Sequence, residues 1–180
     1  MGNKGGRIHD PATKTLLKRK WASRRWIICL TEFRQRNRTV MGEGYTELFF
    51  LDEVSALAAG HRPCFECRRK AAKAFAFGWQ SAFGKIHGSV ADTIDARLHT
   101  ERTGIYPALS SEDLDELPDG AMVRSDSTCF AKHSGQFHKW SGNGYRLTSM
   151  EPENSCLITP ISTVSVLKNG YMPVWHPRIG

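Results

Sequence analysis

The residues best suited to chemistry in this chain are two cysteines that lie three positions apart. Cys64 and Cys67 belong to the segment GHRPCFECRR, residues 60 to 69. A C-x2-C turn can direct both sulfurs at one tetrahedral metal ion, as in structural zinc sites. The spacing therefore predicts half of a zinc site, and a complete site needs two further ligands.

Two other interpretations of the pair stay open. Three arginines flank it, namely Arg62, Arg68 and Arg69. Their positive charge favours thiolate, which both metal binding and redox chemistry require. A thioredoxin-like redox pair is expected beside a βαβ unit, and the pattern here closes no clear unit of that kind. The remaining alternative is a pair of inert thiols.

The residues ahead of the pair follow a recognisable order. Phe49 and Phe50 end a predicted strand, an Ala-rich helix follows through residues 56 to 59, and Gly60 precedes RPCFECR. This order, over residues 45 to 70, resembles the second half of the Ada-type zinc-binding domain, the methylphosphotriester-repair module of bacterial Ada proteins. The overall layout, from GGRIHD to GYMPVWHP, is otherwise similar to that of an uncharacterised bacterial family, which implies no activity.

The Ada resemblance implies zinc as cofactor, with Cys64 and Cys67 at two ligand positions. That family takes its first two ligands from a C-x3-C stretch, one of whose thiolates accepts the methyl group. Cys29 matches one of these positions, but Phe33 stands where the other cysteine is expected. We therefore expect Cys29 to be a third ligand. The fourth would be a histidine, with two candidates, His61 and His176.

Charge is concentrated in one part of the chain. Residues 1 to 38 contain eleven Lys and Arg against Asp10 and Glu32, a net charge of +9, whereas the whole chain carries +7. A localised positive segment favours a polyanionic partner, so nucleic acid is expected, with DNA favoured. The predicted contacts are Lys18, Arg19, Lys20, Arg24, Arg25, Arg62, Arg68 and Arg69. The alternative is a basic segment that only aids solubility.

Two other classes of function stay open beside a zinc protein that associates with nucleic acid. One is an enzyme, either an Ada-like alkyl acceptor or a nuclease-like hydrolase. The hydrolase would use His99 and Glu101, with Asp95 four residues before His99 on the same helix face. The other class is a protein-interaction module. The sequence contains no motif for a phosphate loop or a serine nucleophile, so it indicates no other catalytic residues.

The elements that would position these residues indicate an α+β fold. Residues 1 to 20 are expected to be a basic, irregular arm, followed by a single domain over 21 to 180. Its metal-binding half, 21 to 104, would be stapled by zinc. It would pack on a β-rich half, 120 to 180, whose short antiparallel sheet spans 120 to 148.

The chain is expected to be cytoplasmic. It has no run of eighteen apolar residues that could cross a membrane, so no membrane association is expected. The start of the sequence shows no apolar segment typical of a secretory signal. Five cysteines without the spacing of a disulfide framework also favour a reducing compartment.

Overall fold

The protein has an α+β fold with two sheets, seen in a computed structural model that describes residues 1–3, 5–35, 39–149 and 152–179. The first sheet contains β1 (Gly2–Asn3), β2 (Ile27–Ile28), β3 (Glu47–Leu48) and β4 (Arg62–Pro63). Its strand order is β3-β1-β2-β4, with β1 antiparallel to both neighbours and β2 parallel to β4. The predicted α+β class is confirmed.

Gly2 and Asn3 belong to this sheet, and Ile8 and His9 are buried, which corrects the prediction of an irregular arm from residue 1. Strand β1 lies between two other strands, where Gly2 lets the chain pass close to neighbouring rings: a Cβ there would lie 2.6 Å from a carbon of Phe50. His9 is 1% exposed, and its Nδ1 lies 2.6 Å from the Thr46 hydroxyl. These buried contacts outweigh the local preference of a Gly- and Lys-rich segment for irregular structure.

Helix α1 (Glu53–Ala58) lies between β3 and β4, and α2 (Arg69–Phe83) and α3 (Val90–Thr103) follow β4. The predicted cap of α1 is present, since the Asp52 carboxylate accepts a hydrogen bond of 2.9 Å from the Ser55 backbone N–H. The predicted stop is present too, because Gly60 has a φ of +77° and directs the chain into β4.

The second half begins with α4 (Ser111–Asp115) and contains the other sheet. Its strands are β5 (Met122–Ser125), β6 (Thr128–His133), β7 (Gln136–Ser141), β8 (Gly144–Leu147) and β9 (Cys156–Leu157), in the order β8-β7-β6-β5-β9. Each pair is antiparallel. Helix α5 (Ile161–Lys168) then packs against α2.

The two halves share a core. Val54 of α1 packs in one buried cluster with Met122, Ala131 and Tyr145 of the second sheet. The Tyr145 hydroxyl donates to the Asp52 carboxylate, with oxygen–oxygen distances of 2.8 and 3.0 Å. The second sheet therefore supports α1, the element that leads into β4 and the cysteine turn. Within the described ranges, no helix is both long and apolar enough to cross a membrane.

Candidate metal centre

Two parallel strands bring the first two cysteines together. Cys29 comes directly after β2 and Cys64 directly after β4, and the register pairs Ile28 with Pro63. The Cys64 backbone N–H donates to the Ile28 carbonyl at 3.0 Å, which extends the pairing to the cysteine. Because parallel neighbours end at the same edge of a sheet, residues that are 35 positions apart in sequence become neighbours.

The third cysteine is positioned by the turn between β4 and α2. The Arg68 N–H donates to the Cys64 carbonyl at 3.1 Å, which closes the turn around Cys67. Two further backbone N–H groups point at sulfur: Leu30 donates to Cys67 Sγ and Glu66 to Cys64 Sγ, both at 3.4 Å. Such donors stabilise negative charge on sulfur and hold the thiolates in place.

All three sulfurs converge on one point. The Sγ atoms of Cys29, Cys64 and Cys67 lie within 4.8 Å of one another, and we call this group the three-cysteine cluster. A tetrahedral metal with bonds of about 2.3 Å to sulfur separates two sulfurs by roughly 3.8 Å, so only a small closure is needed. The cluster could therefore hold a metal ion, as the prediction of a metal cofactor required. Of the described residues, no further His, Cys, Asp or Glu joins it.

The surroundings of the cluster favour negative charge on one of its three sulfurs. A hydrogen bond from Cys29 to Cys64, together with N–H donors from the turn, lowers the pKa of Cys64 to about 5. The same bond, with burial, raises the pKa of Cys29, whereas burial is the main cause of the raised pKa of Cys67. Negative charge is therefore favoured at Cys64, to which Cys29 donates its hydrogen bond.

The cluster opens into a pocket of about 150 Å³. Its other walls are mostly apolar, with two carboxylates, and comprise Met1, Leu30, Thr31, Phe33, Val40, Tyr45, Glu47, Phe49 and Glu66. We call this space the cluster pocket. It gives the sulfurs a side that is accessible from outside the protein.

The two histidines predicted as a fourth ligand lie elsewhere. His61 is fully buried, with its ring packed against Phe50 and Trp26 at centroid distances of 4.8 and 5.2 Å. His176 is positioned by Asp52, which accepts from its backbone N–H at 3.1 Å, and its Nδ1 accepts from Arg178. Neither histidine belongs to the cluster, so the prediction of a fourth ligand from His61 or His176 is wrong.

Two of the eight predicted nucleic-acid contacts are occupied inside the protein. Arg62, 4% exposed, makes a two-pronged ion pair with Asp95 at 2.8 and 2.7 Å. Arg68 pairs with Glu53 at 2.8 Å. Each buried carboxylate needs its arginine, so neither guanidinium is free to bind a phosphate. The exposed members of the set are Lys18, Arg19, Lys20, Arg24, Arg25 and Arg69.

The side chains considered for a hydrolase do not converge. His99 packs edge-on against Trp21 at 4.6 Å between centroids. Glu101 accepts from both the hydroxyl and the backbone N–H of Ser162, at 2.7 and 3.0 Å, and so caps the start of α5. With Asp95 paired to Arg62, all three side chains have structural partners.

Three residues of the pocket walls were not predicted to be part of the site. Tyr45, Glu47 and Phe49 alternate through the segment YTELFFL and face the cluster, because side chains of a strand point to one side at every second position. That alternation is visible in the sequence, but it does not show which face meets the cysteines.

Comparisons of this chain with protein-family models, with curated proteins and with solved structures found no match. The likeness to the Ada-type domain over residues 45 to 70 therefore remains a prediction from those residues. The class that fold and site define is an α+β protein with a cluster of three cysteines able to hold a metal ion.

Proposed function

We propose that the protein binds one zinc ion through Cys29, Cys64 and Cys67, and that this metal is mainly structural. The observation that carries the proposal is the convergence of three sulfurs within 4.8 Å, two of which accept backbone hydrogen bonds. Thiolate-rich sites favour zinc among the common divalent metals that have no redox role. Zinc there would join the ends of β2 and β4 to the turn before α2.

Metal content and stability test this proposal. Protein purified without chelator should contain about one zinc per chain, and Cys64→Ser should lose the zinc and melt at a lower temperature, because metal-binding energy is coupled to folding. Cys129→Ser is the matched control, since Cys129 is also a partly exposed free thiol but lies outside the cluster. A Cys64→Ser variant that behaves like Cys129→Ser would contradict the proposal.

We further propose that the zinc protein associates with nucleic acid through the exposed cations of its basic segment. The supporting observation is that Lys18, Arg19, Lys20, Arg24 and Arg25 are all exposed in a segment of net charge +9. Exposed cations near phosphates release counterions, so affinity should fall steeply with salt. Arg62 and Arg68 are excluded from the interface by their ion pairs.

A salt titration with duplex DNA tests the association. Replacing Lys18, Arg19 and Lys20 by Gln should reduce the slope of log affinity against log salt by up to roughly 3, at about 0.9 for each lost phosphate contact. Replacing the exposed lysines Lys73, Lys85 and Lys139 by Gln removes the same charge elsewhere and should leave the slope unchanged. Equal effects of the two variants, or no binding at low salt, would favour the protein-interaction alternative.

A further inference from the structure

The proposed zinc ion has three protein ligands and one side that faces the cluster pocket. Zinc in proteins is almost always four-coordinate, and a site with three protein ligands takes an exogenous donor in the fourth position. All three cysteines line the pocket, and no fourth donor from a described His, Cys, Asp or Glu lies with them. A molecule in the pocket would therefore contact the metal directly.

The pocket is the size of one small ring. Its volume is about 150 Å³. One water molecule occupies about 30 Å³ of liquid, and an apolar cavity of about 150 Å³ accommodates a six-membered ring. The space therefore exceeds the need of a single coordinated water, but a long or branched ligand would extend beyond it.

The walls favour an apolar ring. Leu30, Val40 and Phe49 are 45%, 46% and 63% exposed, and these three large apolar side chains surround the same opening. Exposed apolar residues that gather at one place mark a binding site more often than singly scattered ones do. Phe49 and Tyr45 add aromatic surface against which a planar ring can pack.

The charges of the site favour a neutral donor over an anion. Three thiolates outweigh the charge of one divalent ion. The carboxylates of Glu47 and Glu66 also line the pocket, and they outnumber the α-amino group of Met1, which lies beside Cys29 and Cys67. A fourth anionic donor, such as a carboxylate or a phosphate, would add to this negative charge at close range. A neutral ring nitrogen avoids that repulsion, and imidazole nitrogen is a common zinc ligand.

From these observations we propose that the cluster pocket binds a small neutral nitrogen heterocycle of about the size of imidazole, whose ring nitrogen completes the metal coordination. The inference rests on the proposed metal centre. The same chemistry is offered by a free heterocycle and by the histidine side chain of another protein. Because a phosphate group would be disfavoured in the pocket, the metal site would also be distinct from the surface proposed to bind nucleic acid.

Cobalt-substituted protein provides the test, since the ligand-field spectrum of cobalt reports its coordination. Imidazole should change the spectrum in a saturable way, whereas acetate, an anion of similar size, should not. Blocked histidine, with its amino and carboxyl groups capped, should act like imidazole. Tighter binding of the blocked residue would assign the natural source to a protein side chain, and tighter binding of imidazole to a free heterocycle.

Two exposed phenylalanines make a matched pair of variants. Phe49→Ala removes a wall of the pocket and should weaken imidazole binding about threefold to tenfold, from the loss of one aromatic contact. Phe77→Ala, at a position of α2 that is 71% exposed and outside the pocket, should not change it. An unchanged spectrum while cobalt stays bound, an equal response to acetate, or equal effects of the two variants would overturn the inference. Failure to bind cobalt at all would instead refute the proposed metal centre.

Discussion

Replacing Arg62 by methionine should destabilise the fold strongly, because it leaves the Asp95 carboxylate buried without a partner. The two side chains are 4% and 2% exposed and share two hydrogen bonds. Removing one member of a buried ion pair typically costs about 3–5 kcal/mol. Arg25→Met is the control, since Arg25 and Asp92 are 65% and 58% exposed and an exposed ion pair adds little to stability.

The cost of Arg62→Met should depend on pH. Burial raises the pKa of Asp95, and the hydrogen bonds and charge of Arg62 oppose this rise. Without Arg62 the pKa of Asp95 rises further, so the folded variant binds a proton that the unfolded chain, with an ordinary Asp pKa near 3.9, does not hold. The stability of the variant should therefore fall as pH rises above about 4, and the difference from wild type should shrink in acid.

Urea denaturation at equal metal content measures both effects. The double variant Arg62→Met, Asp95→Leu should recover much of the lost free energy of unfolding, because an apolar pair of similar volume can replace a buried ion pair. A cost for Arg62→Met no larger than that for Arg25→Met would refute the reasoning. In that case Arg62 would return to the set of possible phosphate contacts.

Three other predictions concern side chains at and away from the cluster. With zinc bound, iodoacetamide should label only Cys129 and Cys156, and after chelation it should label all five cysteines. The same labelling with and without chelator would show that the cluster does not bind the metal. Methyl iodide should leave Cys29 of the zinc protein unmethylated by intact mass; an adduct there would favour the Ada-like alkyl-acceptor alternative. Burial lowers the pKa of His138, so the unfolded chain binds the proton first and stability should fall as pH drops below about 6.5. His138→Asn should weaken this dependence in urea melts, and an equal slope in both proteins would contradict it.

Local signals in the sequence were sufficient for several elements. Asp52 as a helix cap and Gly60 as a helix stop follow from residue types with strong conformational preferences, and both are present. Short alternating segments separated by Gly or Ser predicted an antiparallel sheet over 120 to 148, where β5 to β8 lie, whereas β9 joins the sheet from outside that range. These features depend on residues close in sequence.

The parts that the sequence could not supply depend on distant partners. Cys29 entered the candidate set only through a resemblance, because the pairing of β2 with β4 is what brings it to Cys64. Arg62 was expected at a phosphate, since its type and position give no sign of Asp95, which comes 33 residues later. The sequence around His61 likewise does not show that the rings of Trp26 and Phe50 pack against its imidazole.

X-ray absorption at the zinc edge of the purified protein tests the central claim most directly. Three cysteine ligands and one pocket-facing position predict three sulfur neighbours at about 2.3 Å and one nitrogen or oxygen neighbour at about 2.0–2.1 Å. The sulfur count should fall in Cys29→Ser if that variant retains any metal, and it should stay at three in Cys129→Ser. A zinc ion surrounded only by nitrogen and oxygen, or the same sulfur count in metal-bound Cys29→Ser, would contradict the three-cysteine centre.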